Sequence, residues 1–284
     1  MKAKAADSLE RDVEALAATP AGQELPPNAE QVVNALLDAL EHGDVRAARR
    51  DESGTWHAVP WVKRGILVGF RAGRLVEMAA GGAFSFVDKH LFPTRAFHPA
   101  QGVRIVPGGS TVRRGAHIAS GVVCMPPMYV NVGAWVGKGT MIDSHALVGS
   151  CAQIGERVHL SAAAQIGGVL EPVNAAPVVI EDDVMVGGNC GVYEGTVVRA
   201  GAVLGAGVVL TRGTPVFDLV KEMVYRGDGK RALEIPAGAV VVPGARHVKG
   251  DWAAAQGLSL QTPLIVKYRD DRTDMATTLE QWLR

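Results

Sequence analysis

Aliphatic side chains recur at every sixth position through the middle of the chain. They run Val106, Val112, Ile118, Cys124, Val130, Val136, Ile142, Val148, Ile154, Leu160 and Ile166, with a single cysteine among them. A second series follows: Ile180, Val186, Val192, Val198, Leu204, Leu210 and Val216. The next position often takes a small or polar residue (Gly137, Asp143, Gly149, Gly155, Gly167, Gly187, Gly205), and the fourth after each anchor favours Ala, Ser, Thr or Val. Neither an α-helix nor an alternating strand has period six. A triangular parallel β-solenoid does: each hexad supplies one short strand and one corner, and three hexads make an 18-residue coil. The anchors point inward and stack on their counterparts one coil later, with glycine relieving the corner backbone. A Gly-rich β-sandwich is the competing reading, but it gives no reason for anchors to stay in phase over so many steps.

Two interruptions break the period. Ile166 and Ile180 are 14 residues apart, eight more than the repeat allows, so the stretch around GGVLEPVNAAP must leave the solenoid as an external loop. Residues 217–234 read as a hairpin or excursion, after which Ile235 and Val241 form a last partial coil. Upstream, helical spacing of Leu9, Val13 and Leu16 follows Asp7 and Ser8, which are good N-cap types. Asn28 to His42 repeats the pattern and Gly43 ends it. Thr55–Val59 predicts a short strand, and Pro60 opens a third helix carrying Trp61, Val62, Ile66, Leu67 and Phe70. SLQTPLIVKYRD predicts a strand and Asp274 to Arg284 a terminal helix. The expected organisation is mainly β: an N-terminal α/β cap over 1–102, a β-helix over 103–245 with its external loop near 167–179, and a C-terminal extension over 246–284.

Composition narrows the function. Lys plus Arg and Asp plus Glu both number 29, a balance that argues against nucleic acid or an anionic membrane as the main partner. Aromatics are 5% of the chain and glycines number 34, which suits a narrow interior of small and β-branched side chains. No apolar run reaches membrane-spanning length, and the first residues lack the apolar stretch of a signal peptide. Cys124, Cys151 and Cys190 lie far apart, without a CxxC pair, and read as reduced thiols of a cytoplasmic protein. No Walker A or Rossmann fingerprint is present.

The segment MPPMYVNVGAWVGKGTMIDSHALVGSCAQIGERVHLSAAAQIGGVLEP resembles the tetrahydrodipicolinate N-succinyltransferases, above all in VGSCAQIG, VHLS and IGGVLEP. The likeness is strongest over about 104–200 and continues more weakly through the cap and LIVKYRD. It implies a left-handed β-helix, a homotrimer with active sites in clefts between neighbouring solenoids, and transfer of a succinyl group from succinyl-CoA to the amine of a ring-opened amino dicarboxylate, 2-amino-6-oxopimelate. Coenzyme A is then a cosubstrate, with no tightly bound cofactor and no metal.

The same resemblance implies roles for particular residues. Val103-Arg104-Ile105-Val106-Pro107 matches the family's context for a substrate-binding arginine, so Arg104 is expected to grip a carboxylate. Thr140-Met141-Ile142-Asp143-Ser144 matches the string around its key aspartate, which makes Asp143 the expected catalytic or substrate-orienting carboxylate. On residue type alone, a solvated surface arginine and a corner aspartate bonding turn amides are the favoured readings, and the resemblance is what reverses them. Glu171, within IGGVLEP, is expected at the substrate, and Ser161, Gly167, Gly168, Gly187 and Gly188 along the pantetheine. Arg212 takes the place of a phosphate-binding cation while Pro215 loses a second, for which Lys221, Arg226, Lys230 and Arg231 are candidates.

Two departures matter. Cys190-Gly191-Val192-Tyr193-Glu194-Gly195 puts Gly191 where the family carries a glutamate and leaves Glu194 as a structural match. Ser144-His145 replaces the usual Thr-Trp. His145 lies two residues from Asp143, so on one strand the two would share a face, and His145 is a candidate proton acceptor. Direct amine attack on the thioester is expected, without an acyl-enzyme. The alternatives are an N-acetyltransferase on the same or a related amino dicarboxylate, a trimeric metal-dependent carbonic anhydrase using His117, His145 and His159, and an inactive scaffold suggested by Gly191.

Overall fold

The computed structural model describes residues 2–80, 84–228 and 231–269. Its centre is a left-handed parallel β-helix of two-residue strands on three faces. The first face stacks Arg104–Ile105, Val123–Cys124, Met141–Ile142, His159–Leu160, Met185–Val186 and Val203–Leu204. The second runs from Thr111–Val112 to Val209–Leu210, and the third from His117–Ile118 to Glu234–Ile235. Each of these strands pairs in parallel with its counterpart one coil on, 18 residues away where the coil is uninterrupted, as Trp135 with Gln153 and Val136 with Ile154, and further where the external loop intervenes, as Gln153 with Val179. The two-residue strands follow from the hexad: one residue of each faces out and the anchor faces in.

Two positions of each hexad build the core of the solenoid, the anchor and the fourth residue after it. Ile142 with Ala146, Val148 with Ala152, Ile154 with Val158 and Leu160 with Ala164 are all between 0% and 1% exposed. An aliphatic anchor beside a small or β-branched partner fills a triangle too narrow for a ring. The second residue of each pair explains the small-residue preference seen in the sequence.

The corner glycines work differently from the expectation. Left-handed backbone occurs at the third residue after the anchor, at Gly121, Gly139, Arg157, Asp183 and Gly201 on one corner and at His145, Ala163 and Asn189 on another. The glycines directly after the anchors answer to stacking instead. A Cβ on Gly137 would lie 2.4 Å from the Gly155 carbonyl oxygen, and one on Gly149 would lie 2.1 Å from the Gly168 nitrogen. Adjacent coils sit about 4.8 Å apart, so a side chain pointing along the axis has no room.

Two anchors also differ. Ile105, not Val106, pairs with Cys124, so the first hexad holds one extra residue. Val216 is buried but leaves the third face, where Ile235 pairs beside Val198 instead. Val216–Asp218 turns back on Met223–Tyr225 as an antiparallel hairpin. After Ile235 the chain regains the first face in Ala239–His247, which folds against Ser259–Tyr268 as the expected strand and covers the open end of the solenoid. The helix expected over 274–284 lies outside the described residues.

The cap packs three helices, α1 (Lys2–Ala17), α2 (Ala29–His42) and α3 (Pro60–Ala72), with a hairpin of β1 (Ala48–Arg50) and β2 (Trp56–Ala58) between α2 and α3. Asp7 and Ser8 fall inside α1 rather than capping it. Gly43 ends α2 in left-handed geometry, and Pro60 opens α3, as expected. Gly65 lets α3 approach α2: a Cβ there would meet Leu36 Cδ2 at 2.3 Å. Leu36, Leu37, Val62, Ile66 and Phe92 form a second core that includes Val132 and Cys151 of the solenoid, so the cap docks on the corner between the second and third faces. A second hairpin, β3 (Leu75–Ala80) with β4 (Phe84–Lys89), follows α3 and was not evident from the periodicity.

The two kinds of corner position predict opposite responses in urea denaturation. Gly137→Ala should cost about 2 kcal/mol by overpacking, whereas Ala163→Gly, at φ 58°, should leave stability unchanged or raise it by up to about 1 kcal/mol. Equal losses at both positions would contradict the stacking account.

Candidate functional site

The expected site residues fall on two edges. Backbone N–H groups of Asp143, Ser161 and Gly187 donate in turn to the carbonyls of Leu160, Val186 and Leu204, so these three positions rise one above another at the corner between the first and second faces. Gly188 and His145 occupy the same edge. Gly167, Gly168 and Glu171 belong to the external loop, which leaves the solenoid at the corner between the second and third faces. Arg104 is exposed on the first face, two strands below Met141. Within one chain, the second face therefore separates Asp143 from Glu171.

Asp143 is held by its own corner. Its Oδ1 accepts from the Ser144 N–H at 2.7 Å, which fixes the carboxylate and leaves Oδ2 for other partners. That oxygen lies 4.0 Å from His159 Nε2. His159 projects from the first face between Met141 and Met185, with only 14% of its side chain exposed. The sequence analysis considered His159 only as a metal ligand. The signal was the 18-residue register: position 159 stacks on 141, beside a side chain at 143.

His145 does not share a strand face with Asp143. The strand ends at Ile142, and His145 sits in the corner at φ 61°. It is exposed, and its N–H donates to the Pro127 carbonyl at 2.6 Å. A left-handed residue reverses the two-residue alternation on which the expectation relied. His117 is turned into the cap, 3.9 Å from the Trp135 ring and 2.9 Å from the Glu41 carbonyl through Nδ1. It therefore shares no open site with His145 and His159. Among the described residues no group of three or more His, Cys, Asp or Glu is arranged to hold a metal ion.

The external loop is fastened to the cap by Lys63, which is fully buried and donates through Nζ to the Ala175 carbonyl at 2.5 Å. Burial pushes the Lys63 ammonium below the ordinary lysine value. Beneath the loop a cleft of about 1150 Å³ opens between Trp56 and His57 of β2, Ala175 of the loop, and Arg212, Arg226 and Arg231. The structure thus gathers Arg212 with two of the four cations that sequence alone did not position. Lys221 lies elsewhere, 4.3 Å from the Tyr268 ring, and Lys230 is outside the described residues. Glu194 accepts from the Arg212 N–H at 3.1 Å, a structural bond at the mouth of this cleft.

Gly191 has no room for a larger side chain while Tyr193 keeps its position. A Cβ on Gly191 would lie 2.5 Å from Tyr193 Cε2, and one on Gly167 would lie 2.8 Å from Tyr193 Cδ1. The ring of Tyr193 covers the place of the missing glutamate. All three cysteines are free and buried. Desolvation pushes the Cys124 and Cys151 thiols up to about 12, so neither supplies a thiolate nucleophile at neutral pH.

The hairpin β1–β2 is tied to the third face through Glu181. Its carboxylate accepts from Trp56 Nε1 at 2.9 Å, Arg199 Nη1 at 2.9 Å and the Ala200 N–H at 3.1 Å. Burial alone would raise the Glu181 carboxyl, but these donors outweigh it and hold the group below the usual carboxylate range.

A family model described as tetrahydrodipicolinate N-succinyltransferase N-terminal matches residues 8–72, and one for the hexapeptide repeat of succinyl-transferase matches residues 177–212. The chain is 42% identical over 263 residues to the 2,3,4,5-tetrahydropyridine-2,6-dicarboxylate N-succinyltransferase of Polynucleobacter asymbioticus, covering 91% of each. It is 42% identical over 258 residues to the enzyme of the same name from Rhodopseudomonas palustris, covering 89% of each. Among solved structures, a putative 2,3,4,5-tetrahydropyridine-2-carboxylate N-succinyltransferase of Campylobacter jejuni shares the fold at a TM-score of 0.51 and 18% identity, over 83% of this chain and 62% of that one.

Two outcomes follow from this geometry. The folded-state pKa of Glu181 lies below its unfolded value, so its contribution is present at neutral pH and lost as pH falls through the unfolded value of about 4.3 toward the folded one. The stability loss in Glu181→Gln should therefore be largest at neutral pH and shrink in acid, as read by urea midpoints across pH. Gly191→Glu should destabilise the chain by about 1–3 kcal/mol through overpacking. Adding Tyr193→Val should recover most of that loss, which a double-mutant cycle will measure.

Proposed function

This chain belongs to the 2,3,4,5-tetrahydropyridine-2,6-dicarboxylate N-succinyltransferase family, and on that premise we propose how its residues divide the reaction. The protein is an acyltransferase that draws its acyl group from a coenzyme A thioester. It moves the succinyl group of succinyl-CoA to the amine of the ring-opened substrate. The amine attacks the thioester carbonyl, a tetrahedral oxyanion forms, and the C–S bond breaks to give the amide and the CoA thiol.

Asp143 orients the attacking amine with Oδ2 and receives its proton. The observation that carries this reading is the corner pairing of Asp143 with His159, one oxygen fixed by a backbone amide and the other facing the imidazole. A carboxylate so anchored loses little freedom when substrate binds. His159 is the partner through which the proton moves on toward the leaving sulfur. His145, exposed on the same edge, is a substrate contact rather than the base. Arg104 takes a substrate carboxylate at the lower end of the first face, where its guanidinium is exposed.

Ser161, Gly187 and Gly188 continue upward from Asp143 as a narrow edge of small residues, which suits the pantetheine arm. Arg212, Arg226 and Arg231 supply the positive charge for its phosphates. Gly167, Gly168 and Glu171 lie across the second face from Asp143, so a neighbouring copy must bring its own loop to complete the site. A closed homotrimer meets that need with one repeated interface. The reduced, buried thiols accord with a cytoplasmic setting.

Thiol release tests the assignment. Wild-type protein should release CoA from succinyl-CoA only when tetrahydrodipicolinate is added, and acetyl-CoA should be the poorer donor. Asp143→Asn should lower kcat by about 10²–10⁴-fold. His159→Ala should lower kcat more than His145→Ala and flatten the acidic limb of the pH profile. The reverse order would return the proton to His145, and acceptor-independent release from both donors would overturn the reading. Sedimentation at micromolar concentration should give a trimer.

A further inference from the structure

A second cavity, of about 360 Å³, lies between the hairpin β1–β2 and the third face, away from the Asp143 edge. Its wall includes Arg46, whose guanidinium is sandwiched between the rings of Trp56 at 5.1 Å and Trp135 at 4.2 Å. His117 stacks on Trp135. Arg46 Nε donates to Gln153 Oε1 at 2.5 Å, and Gln153 is itself fixed by its bond to the Cys151 carbonyl at 2.7 Å. The guanidinium is thus rigid, but its Nη groups make no hydrogen bond or ion pair with any described residue. Burial lowers its pKa to about 10, with Asp182 acting on it only through space.

Two further cations line the cavity, Arg50, which lies 3.8 Å from Glu181, and Lys138, which is exposed, and the acids around it are not equivalent. Glu181 is saturated by Trp56, Arg199 and the Ala200 N–H. Glu156 pairs with Arg157 Nη1 at 2.9 Å. Asp182 spends Oδ1 on the Glu156 N–H at 2.8 Å, and it forms no ion pair with a described residue. One side of the cavity therefore offers a guanidinium fork in need of an acceptor and the other offers a carboxylate in need of a donor. A simple anion would satisfy Arg46 but meet the charge of Asp182. A simple cation would meet the reverse. A molecule carrying both charges satisfies both walls, and a guanidinium held by two rings binds a carboxylate at little ordering cost.

We infer that this cavity binds an α-amino acid, its carboxylate on the Nη groups of Arg46 and its ammonium toward Asp182. The volume lies within the range of small-molecule sites and leaves space for a short side chain. Neither charged group belongs to the acyl-transfer machinery, so the inference stands apart from the proposed reaction.

Trp56 and Trp135 report on the cavity by fluorescence. Titration with L-alanine should give a saturable change in emission. Propionate and isopropylamine, which each keep one of its charges, should bind at least about tenfold more weakly, the loss expected for one charge-assisted contact. Arg46→Met should abolish the L-alanine response. Asp182→Asn, at an exposed corner, keeps the test decisive if that variant fails to fold: it should bind L-alanine no better than propionate. No saturable change with L-alanine, an equal response to propionate in the wild type, or undiminished preference for L-alanine in Asp182→Asn would each overturn the proposal.

Discussion

Everything in this molecule answers to the stacking of one coil on the next. Parallel strands in successive coils fix the spacing at about 4.8 Å, and that spacing governs both the inside and the outside of the prism. Inside, it puts each anchor against its counterpart one coil away, so a column of Val, Ile and Leu becomes continuous and buried. At the corners, it excludes a Cβ aimed along the axis, which is why Gly137 and Gly149 are glycines although neither has positive φ. A change of residue type at these positions strains the backbone of the neighbouring coil.

The same spacing organises chemistry on the surface. A hexad offers few outward positions, and stacking converts each of them into a row. Asp143, Ser161 and Gly187 are neighbours because the coils repeat, not because the chain bends to gather them. A solenoid brings together residues 18 apart, or residues displaced from that interval by the reach of one side chain, as Asp143 and His159 are. It keeps residues on different edges apart, however close in sequence. Asp143 and the loop at 167–171 lie on different edges, and in the proposed reaction only a second copy bridges them.

The period was legible because it survives in nearly every hexad, and with it the external loop, the late excursion and the returning strand. What failed were features set by tertiary contact. Ile105 replaces Val106 because the first hexad takes an extra residue where Phe97 and Val103 close the end of the core. Asp7 and Ser8 have capping chemistry, yet α1 begins earlier. At the site, the pairing of positions 143 and 145 assumed strand alternation, and the left-handed corner cancelled it. His159 was readable from the 18-residue register, but a short motif match draws attention to sequence neighbours. Arg226 and Arg231 had no readable position, since the excursion obeys no repeat.

The cap adds a constraint that the solenoid alone lacks. Lys63 reaches through its core to hold the external loop, and Trp56 reaches from its hairpin to Glu181 on the third face. Trp56 is a wall of both the small cavity and the large cleft that holds Arg212. Its indole is fixed on one side by the Arg46 guanidinium and at its N–H by a carboxylate that also binds Arg199. A side chain restrained at two points transmits displacement poorly unless one restraint loosens. The Arg46 guanidinium is itself fixed by Gln153, so the stacking restraint and the Glu181 bond hold together. Trp56 is therefore a fixed partition between the two spaces, and the cap that carries it sets the shape of both.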